Sequence, residues 1–433
     1  MQPELQQVNL STIIFDKDVY PRKTHDPQTV QRYAACLDEI EARGNYISVA
    51  TDMTLLDGQH RLLAYQKEGK LDRVIPVYVY AVTDKRDKFA LAVELNSTHG
   101  DQLSQDDKRS CVIKMYGEHH FALDEIAKAV SVRKATALDW TRTLREEEER
   151  RQNETIFDMW LACYTLEEIA EAVGMVKGGS LAEKIQESAK KFPGTKSHKL
   201  GNFDDAGDGF DVPIYNVWAF AKKTNQVEHY GNSEQRILEN LLYLYTKPYD
   251  IVFDPFGGGG ATVDVCKHRL RRYFVSDRKP IVERAKEIRL IDIVKDGPPR
   301  LPWGDVTLVY LDPPYWRQAL NQYSMDADDL ANMGLAQFTK AMTDVITKIS
   351  QKITQGRIAM LMQPTQWNAD ERQYTDHIFD IVAGVRTKRL VVENRVSCPY
   401  STQQCNPQMV EWAKANRQLL VLSRELVIWK VMQ

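Results

Sequence analysis

Residues Val306–Trp316 read VTLVYLDPPYW. The first six, Val306 to Leu311, are apolar and rich in β-branched side chains, as in a buried strand of a parallel sheet. Asp312 then sets a carboxylate at the strand's carboxyl end, where open α/β sheets bind their ligands. Pro313 and Pro314 fix two φ angles and remove two N–H donors, leaving a stiff turn with outward carbonyls. Tyr315 and Trp316 add flat apolar faces able to sandwich a ring. A carboxylate, a rigid carbonyl and an aromatic face together suit an exocyclic amine on a planar base. An ordinary turn after a strand has the same local sequence, so the surrounding residues must decide.

Upstream, residues 249–280 read YDIVFDPFGGGGATVDVCKHRLRRYFVSDRKP. Ile251 to Phe253 predict a strand, Asp254 to Thr262 a tight Gly-rich turn, and Val263 to His268 the start of a helix. Tyr273 to Ser276 predict the next strand, ending in Asp277. Glycines at such a strand-to-helix turn let a ligand approach the backbone, and an acid ending the next strand suits the two hydroxyls of a ribose. A turn of this kind also occurs in NAD sites or with no ligand at all. Here it is DPFGGGG rather than GxGxxG, and it lacks the GK[ST] of a phosphate-gripping loop. Phe256 beside the glycines can line an adenine or sulfonium pocket where no phosphate has to be neutralised.

At 433 residues the chain is long enough for two or three domains. It has no apolar run of about 18 residues, so no membrane span is expected. The start, MQPELQQVNL, lacks the basic and apolar regions of a secretion signal. Cys36, Cys111, Cys163, Cys266, Cys398 and Cys405 are scattered without a CxxC pair. That spacing argues for reduced thiols in a cytoplasm and against a zinc site or disulfide framework, so no metal is expected. The net charge of −3 does not announce a nucleic-acid partner, and any basic contact surface must be local.

DPFGGGGAT followed by LDPPYW resembles the amino-methylating DNA methyltransferases, which act on adenine N6 or cytosine N4; the likeness spans residues 205 to 433. It implies a Rossmann-like domain that binds S-adenosylmethionine (SAM) through Asp254, Phe256, Gly257 and Gly259. Asp277 matches the acid at the ribose. The segment Val217–Tyr245, with Asn232, is similar to the element at the methionine end, and Asp292 loosely matches an acid near the adenine. Asp312, Pro313, Pro314 and Tyr315 match the catalytic tetrapeptide. In that family the target NH₂ hydrogen-bonds to the acid and to the first proline's carbonyl, which localises a lone pair otherwise delocalised into the ring. Tyr315 is expected to stack on a flipped base, with Trp316 as a further base or DNA contact. An Asp at the head of the tetrapeptide favours adenine over cytosine, without excluding N4. No cysteine nucleophile is required, so methylation at cytosine C5 is not expected. RIAMLMQP (357–364), RLVVENRV (389–396) and QLLVLSRELVIWKV (418–431) predict the remaining strands. Large target-recognition inserts are absent, except for the stretch 396–417.

A second motif is LLDGQHRLLAYQKEG, residues 55–69. Leu55 and Leu56 end a strand, Asp57 and Gly58 turn, and a helix follows. Gly58 makes room for a phosphate at the helix N-terminus, with His60 beside it and Arg61 to grip it. With VYPR (19–22), Glu94 and Asn96, this set resembles the ParB/sulfiredoxin-like fold over residues 8 to 115. That likeness implies an α+β domain and leaves open whether a nucleotide binds there.

Residues 121–145 and 164–189 each predict two short helices around a turn and look like helix-turn-helix units. Arg133, Lys134 and Arg142 are placed to meet phosphates, and Thr165 with Glu168 forms a capping box. REEEERRQNE (145–154) predicts a solvated helix face, and residues 190–210 a charged linker. The expected organisation is a ParB-like domain at 1–115, a helical region at 116–200 and a methyltransferase domain at 201–433. The expected partner is double-stranded DNA. A homodimer is compatible with the chain, and the pairing of modules suggests a mobile genetic element. Two rivals stand beside it: a DNA-binding regulator whose methyltransferase half is inactive, and an enzyme acting on RNA.

Overall fold

The structure, a computed structural model, describes residues 2–98, 102–176, 178–190, 196–205, 207–220, 233–318, 324–365, 374–399 and 407–432. The chain divides into two compact units, Met1–Arg151 and Gln152–Gln433, with the boundary inside the helix Arg142–Leu161.

The first unit is built on a four-stranded sheet of β1 (Glu4–Asn9), β2 (Ser48–Ala50), β3 (Leu55–Asp57) and β4 (Val74–Tyr80), in the order β1-β4-β2-β3. β4 pairs antiparallel with β1 and parallel with β2. Val49, Leu55 and Val77 are fully buried against Ala64 and Tyr65 of the helix Gln59–Lys67. Helices follow at Lys85–Thr98, Gln105–Gly117, Leu123–Ala129 and Lys134–Trp140. They share a core of Phe89, Val93, Val112, Met115, Ile126 and Ala137.

The second unit contains a seven-stranded sheet. Its strands are β5 (Ile251–Asp254), β6 (Arg272–Asp277), β7 (Ile288–Leu290), β8 (Val306–Leu311), β9 (Arg357–Met362), β10 (Leu390–Pro399) and β11 (Ser423–Val431). The order is β10-β11-β9-β8-β5-β6-β7. β5 to β9 run parallel, and β11 pairs antiparallel with both β9 and β10. The strands are apolar on both faces because both faces are covered. Val252, Leu308, Tyr310 and Ala359 face one core, with Ile237 and Leu241 of the helix Gln235–Tyr245. Ile251, Phe253, Val309 and Ile358 face the other, with Phe338, Met342, Val345, Ile346 and Ile349. The last five recur at helical spacing along Leu335–Lys352, so a single stripe of that helix closes the layer.

The second helical pair, Leu166–Ala172 and Gly179–Lys190, belongs to this unit. The expected capping box forms: the Thr165 amide donates to Glu168 Oε2 at 2.7 Å, and the Glu168 amide to Thr165 Oγ1 at 3.3 Å. Part of the stretch read as a linker is tied down. Arg269, 1 % exposed, donates to the Leu200 carbonyl at 3.0 Å and pairs with Asp208, and Arg271 donates to the Gly201 carbonyl.

Candidate active site

The sheet grows from β5 to β6 and β7 on one side, and through β8 and β9 on the other. The strand order therefore reverses between β5 and β8, and a crevice opens at the carboxyl ends of those two strands. A cavity of about 730 Å³ lies there, large enough for a nucleoside-sized molecule. Asp254 ends β5, Asp277 ends β6 and Asp312 follows β8, and all three line this cavity.

The Gly-rich turn is shaped by its own hydrogen bonds. Asp254 is 2 % exposed and accepts from the Phe256 amide at 2.8 Å and from Thr262 Oγ1 at 2.5 Å. Burial pushes its carboxyl up to about 7, while those two donors pull the other way. Gly257 donates to the Ser276 carbonyl at 2.9 Å, pressing the turn onto β6. A Cβ at Gly257 would sit 2.5 Å from Val275 Cγ1, so this position has no room for a side chain. Gly260 caps the helix Ala261–His268 with φ +87°, a left-handed conformation that glycine adopts without strain. Asp277 is held by two amides, from Gly258 at 2.9 Å and Lys279 at 2.8 Å.

The residues fit SAM. A carboxylate fixed by backbone amides, Asp277, is the group for a ribose. Phe256, Ile281, Ile293 and Val294 line the cavity and supply apolar surface for an adenine. Asp292 also lines it; its Oδ1 accepts from the Val294 amide at 3.0 Å. Of the glycines singled out from sequence, Gly257 lines the cavity, and Gly259 is buried within the turn. Gly258, which holds Asp277, lines it as well. Asn232 lies outside the described residues.

Arg278, next to Asp277, reaches across to the segment 324–329. Its Nη2 pairs with Asp326 at 3.3 Å and with Asp328 at 3.2 Å. Asp329, 1 % exposed, accepts from the Ala331 amide at 3.0 Å and braces that segment as a cavity wall.

Asp312 is the best-equipped acid in the crevice. Tyr315 Oη donates to its Oδ1 at 3.1 Å, and Tyr310 Oη lies 3.5 Å from its Oδ2. Ser233 also hydrogen-bonds to it, and the buried Arg424 contributes positive charge. Burial pushes its carboxyl above the ordinary carboxylate range; Ser233 and Arg424 oppose that rise. Sequence reasoning passed over Ser233, Tyr310 and Arg424. The available signal was an arginine near the head of the apolar strand SRELVIWKV. Pro314 lines the cavity and Pro313 is buried beside it.

Trp316 is a correction. Its indole is 5 % exposed, donates to the Met333 carbonyl at 2.9 Å and packs edge-on to His377, at 5.9 Å between centroids. It belongs to the core beneath the tetrapeptide and presents no face to a base or to DNA. His377, fully buried between Trp316 and Phe338, is pushed down to about 4 by burial and stays neutral.

In the first unit, the DGQHR turn closes on itself. Arg61 Nη2 pairs with Asp57 at 2.6 Å, and Nη1 donates to the carbonyls of Asn45 (2.7 Å) and Tyr46 (2.8 Å). A Cβ at Gly58 would sit 3.0 Å from Arg61 Nη2. His60 Nε2 accepts from the Asp26 amide at 3.0 Å. Asn96, 1 % exposed, accepts from Tyr20 Oη at 3.1 Å, and Tyr20 Oη accepts from the Gln59 amide at 3.1 Å. Glu94 is exposed. Arg133 and Lys134 are exposed at the start of the helix Lys134–Trp140, and Lys134 pairs with Asp124 at 2.9 Å.

A doubly wound sheet with one reversed strand, a Gly-rich turn and an acid ending the adjacent strand define a Rossmann-like α/β domain. Residues 67–287, just over half of the chain, match the family model for DNA methylases of the N6/N4 type. The chain belongs to this DNA methylase family. The match takes in Asp254–Thr262 and Asp277 and ends before Asp312. No curated protein matches the chain. Two solved structures with similarity are of the C-terminally truncated chromosome-partitioning protein ParB from Caulobacter crescentus. One, complexed to the centromeric parS site, is 14 % identical over 43 % of this chain and 99 % of that chain, with a TM-score of 0.25. The other, complexed with CTP-gamma-S, is 16 % identical over 42 % and 99 %, with a TM-score of 0.19. Among the described residues, no helix is long and apolar enough to cross a membrane, and no cluster of His, Cys, Asp and Glu could hold a metal ion.

Proposed function

We propose that the protein transfers a methyl group from SAM to an exocyclic amine of a base in double-stranded DNA, with adenine N6 as the favoured target. The observation that carries this reading is the common cavity of Asp254, Asp277 and Asp312 at the reversal of strand order. Asp277, Phe256 and the turn Gly257–Gly260 would hold SAM, which supplies an electrophilic methyl on a sulfonium. Asp312 accepts a hydrogen bond from the target NH₂, and the carbonyl of Pro313 takes the second N–H. Both bonds draw the nitrogen lone pair out of conjugation, and the carboxylate offsets the positive charge that develops on nitrogen. The preference for adenine rests on Asp312 at the head of the tetrapeptide. Tyr315 orients Asp312 through its hydroxyl and offers its ring to a base taken out of the stack. Exposed Arg133 and Lys134 at a helix start are the phosphate contacts of a helix-turn-helix, and they add DNA affinity.

The test is labelled methyl transfer to mixed-sequence duplex DNA, followed by digestion to nucleosides. N6-methyl-2′-deoxyadenosine is the expected product. Asp312→Ala is expected to lower the rate about 10³-fold or more while SAM still binds. Methylcytosine would transfer the assignment to N4. Absence of any methylated base, with SAM bound, would sink the enzymatic reading.

A further inference from the structure

We propose that Arg424 is a positioning residue for Asp312, keeping this acid anionic and aimed through the hydroxyl of Ser233. The proposal rests on the methyl-transfer reading of Asp312. Arg424 lies near the head of β11 and is 3 % exposed. Its Nη1 donates to Ser233 Oγ at 3.1 Å, and its Nε to the Cys398 carbonyl at 3.5 Å. Ser233, 9 % exposed, stands just before the helix Gln235–Tyr245 and hydrogen-bonds to Asp312. A guanidinium only donates, so Ser233 Oγ receives from Arg424 and its proton is directed onto the Asp312 carboxylate. Three elements far apart in sequence thus converge on one acid.

The surroundings show why the acid needs this. Tyr310 of β8 and Tyr315 of the following turn face Asp312 with neutral hydroxyls. Asp254 of β5 lines the same crevice and Cys398 of β10 is buried behind it; the Asp312 charge disfavours ionisation of both. Arg424 supplies the positive charge. The role matters because the anion accepts through either oxygen and carries the negative charge that offsets charge developing on the amine nitrogen. A protonated Asp312 would present a donor to the amine and waste the geometry. Burying a guanidinium costs stability, which an apolar residue at the same place would avoid.

The experiment is the pH dependence of kcat for methyl transfer, at saturating SAM, by the full chain and by Arg424→Gln, Arg424→Lys and Ser233→Ala. Arg424→Gln and Ser233→Ala are expected to move the acid limb upward by about one pH unit. Arg424→Lys should stay near the wild type, and KM for SAM should change less than kcat. Infrared titration of the protonated carboxyl band, assigned by its loss in Asp312→Asn, should show the same upward shift without any turnover. Ser233→Ala creates little cavity and covers the case in which the arginine variants do not fold. An unchanged acid limb and an unchanged carboxyl band in a folded Arg424→Gln or Ser233→Ala would overturn the proposal. A wild type that transfers no methyl would overturn the methyl-transfer reading instead, and the infrared titration would still decide whether Arg424 governs Asp312.

Discussion

Two strand-to-helix turns in this protein begin with the same grammar and end differently. Asp57-Gly58 leads from β3 into the helix Gln59–Lys67, and Asp254 to Gly260 leads from β5 into the helix Ala261–His268. Each has an acid at the strand end and a left-handed glycine capping the helix. In the first, Arg61 folds back from the helix onto Asp57 and two carbonyls. In the second, Asp254 accepts from an amide and a hydroxyl instead, and the turn walls a cavity of about 730 Å³. An acid and a glycine therefore make a turn. Whether that turn is a binding site depends on what the neighbouring side chains do with the space.

The largest expected difference is in pH dependence. Asp254 is raised by burial to about 7, above its unfolded range. Its neutral form is thus the one the fold prefers, so its contribution to stability is fully present below pH of about 4 and lost as pH rises through about 7. Asp254→Asn should flatten unfolding free energy against pH over that window, as measured by denaturant titration. A variant that keeps the wild-type slope would break the contrast. Next comes Arg61→Ala, which strands Asp57 and two carbonyls. It should destabilise the first unit by about 3 kcal/mol, read as a lower denaturation midpoint. Full stability in that variant would mean that Arg61 is available to a ligand after all.

Gly257→Ala sharpens the other side. Its Cβ would meet Val275 Cγ1 at 2.5 Å inside the packed wall of the cavity, and the turn has to move off β6. A loss of about 2 kcal/mol in SAM affinity is expected by calorimetry. The smallest effect is expected from Arg133→Ala, at an exposed helix start. It should lower DNA affinity modestly and reduce the slope of log K against log salt by about one. An unchanged slope would remove this helix from the DNA-facing surface.

Much of the catalytic half is legible in the sequence because its signals are local. VTLVYL predicts β8 from β-branched apolar residues, and IVFDPFGGGG predicts β5 and its turn. Thr165 and Glu168 predict their own capping box. Trp316 was misread for an equally local reason: next to Pro314 and Tyr315 an aromatic looks available, yet its exposure depends on His377 and Met333, well beyond any sequence window. Ser233 and Arg424 escaped because they are 191 positions apart and meet only when β11 inserts antiparallel beside β9.

By itself the sequence determined most strands of the seven-stranded sheet, the Gly-rich turn, the acids that end β5 and β6, and the tetrapeptide after β8. Backbone propensity and side-chain periodicity act over a few residues, and such features follow from them. Tertiary structure alone decided that the strand order reverses between β5 and β8, which brings Asp254, Asp277 and Asp312 to one cavity. It also decided that Arg61 turns inward, that Trp316 is buried and that Arg424 stands behind Asp312. Those outcomes depend on which distant side chains compete for the same space and the same hydrogen bonds, and only the folded chain resolves that competition.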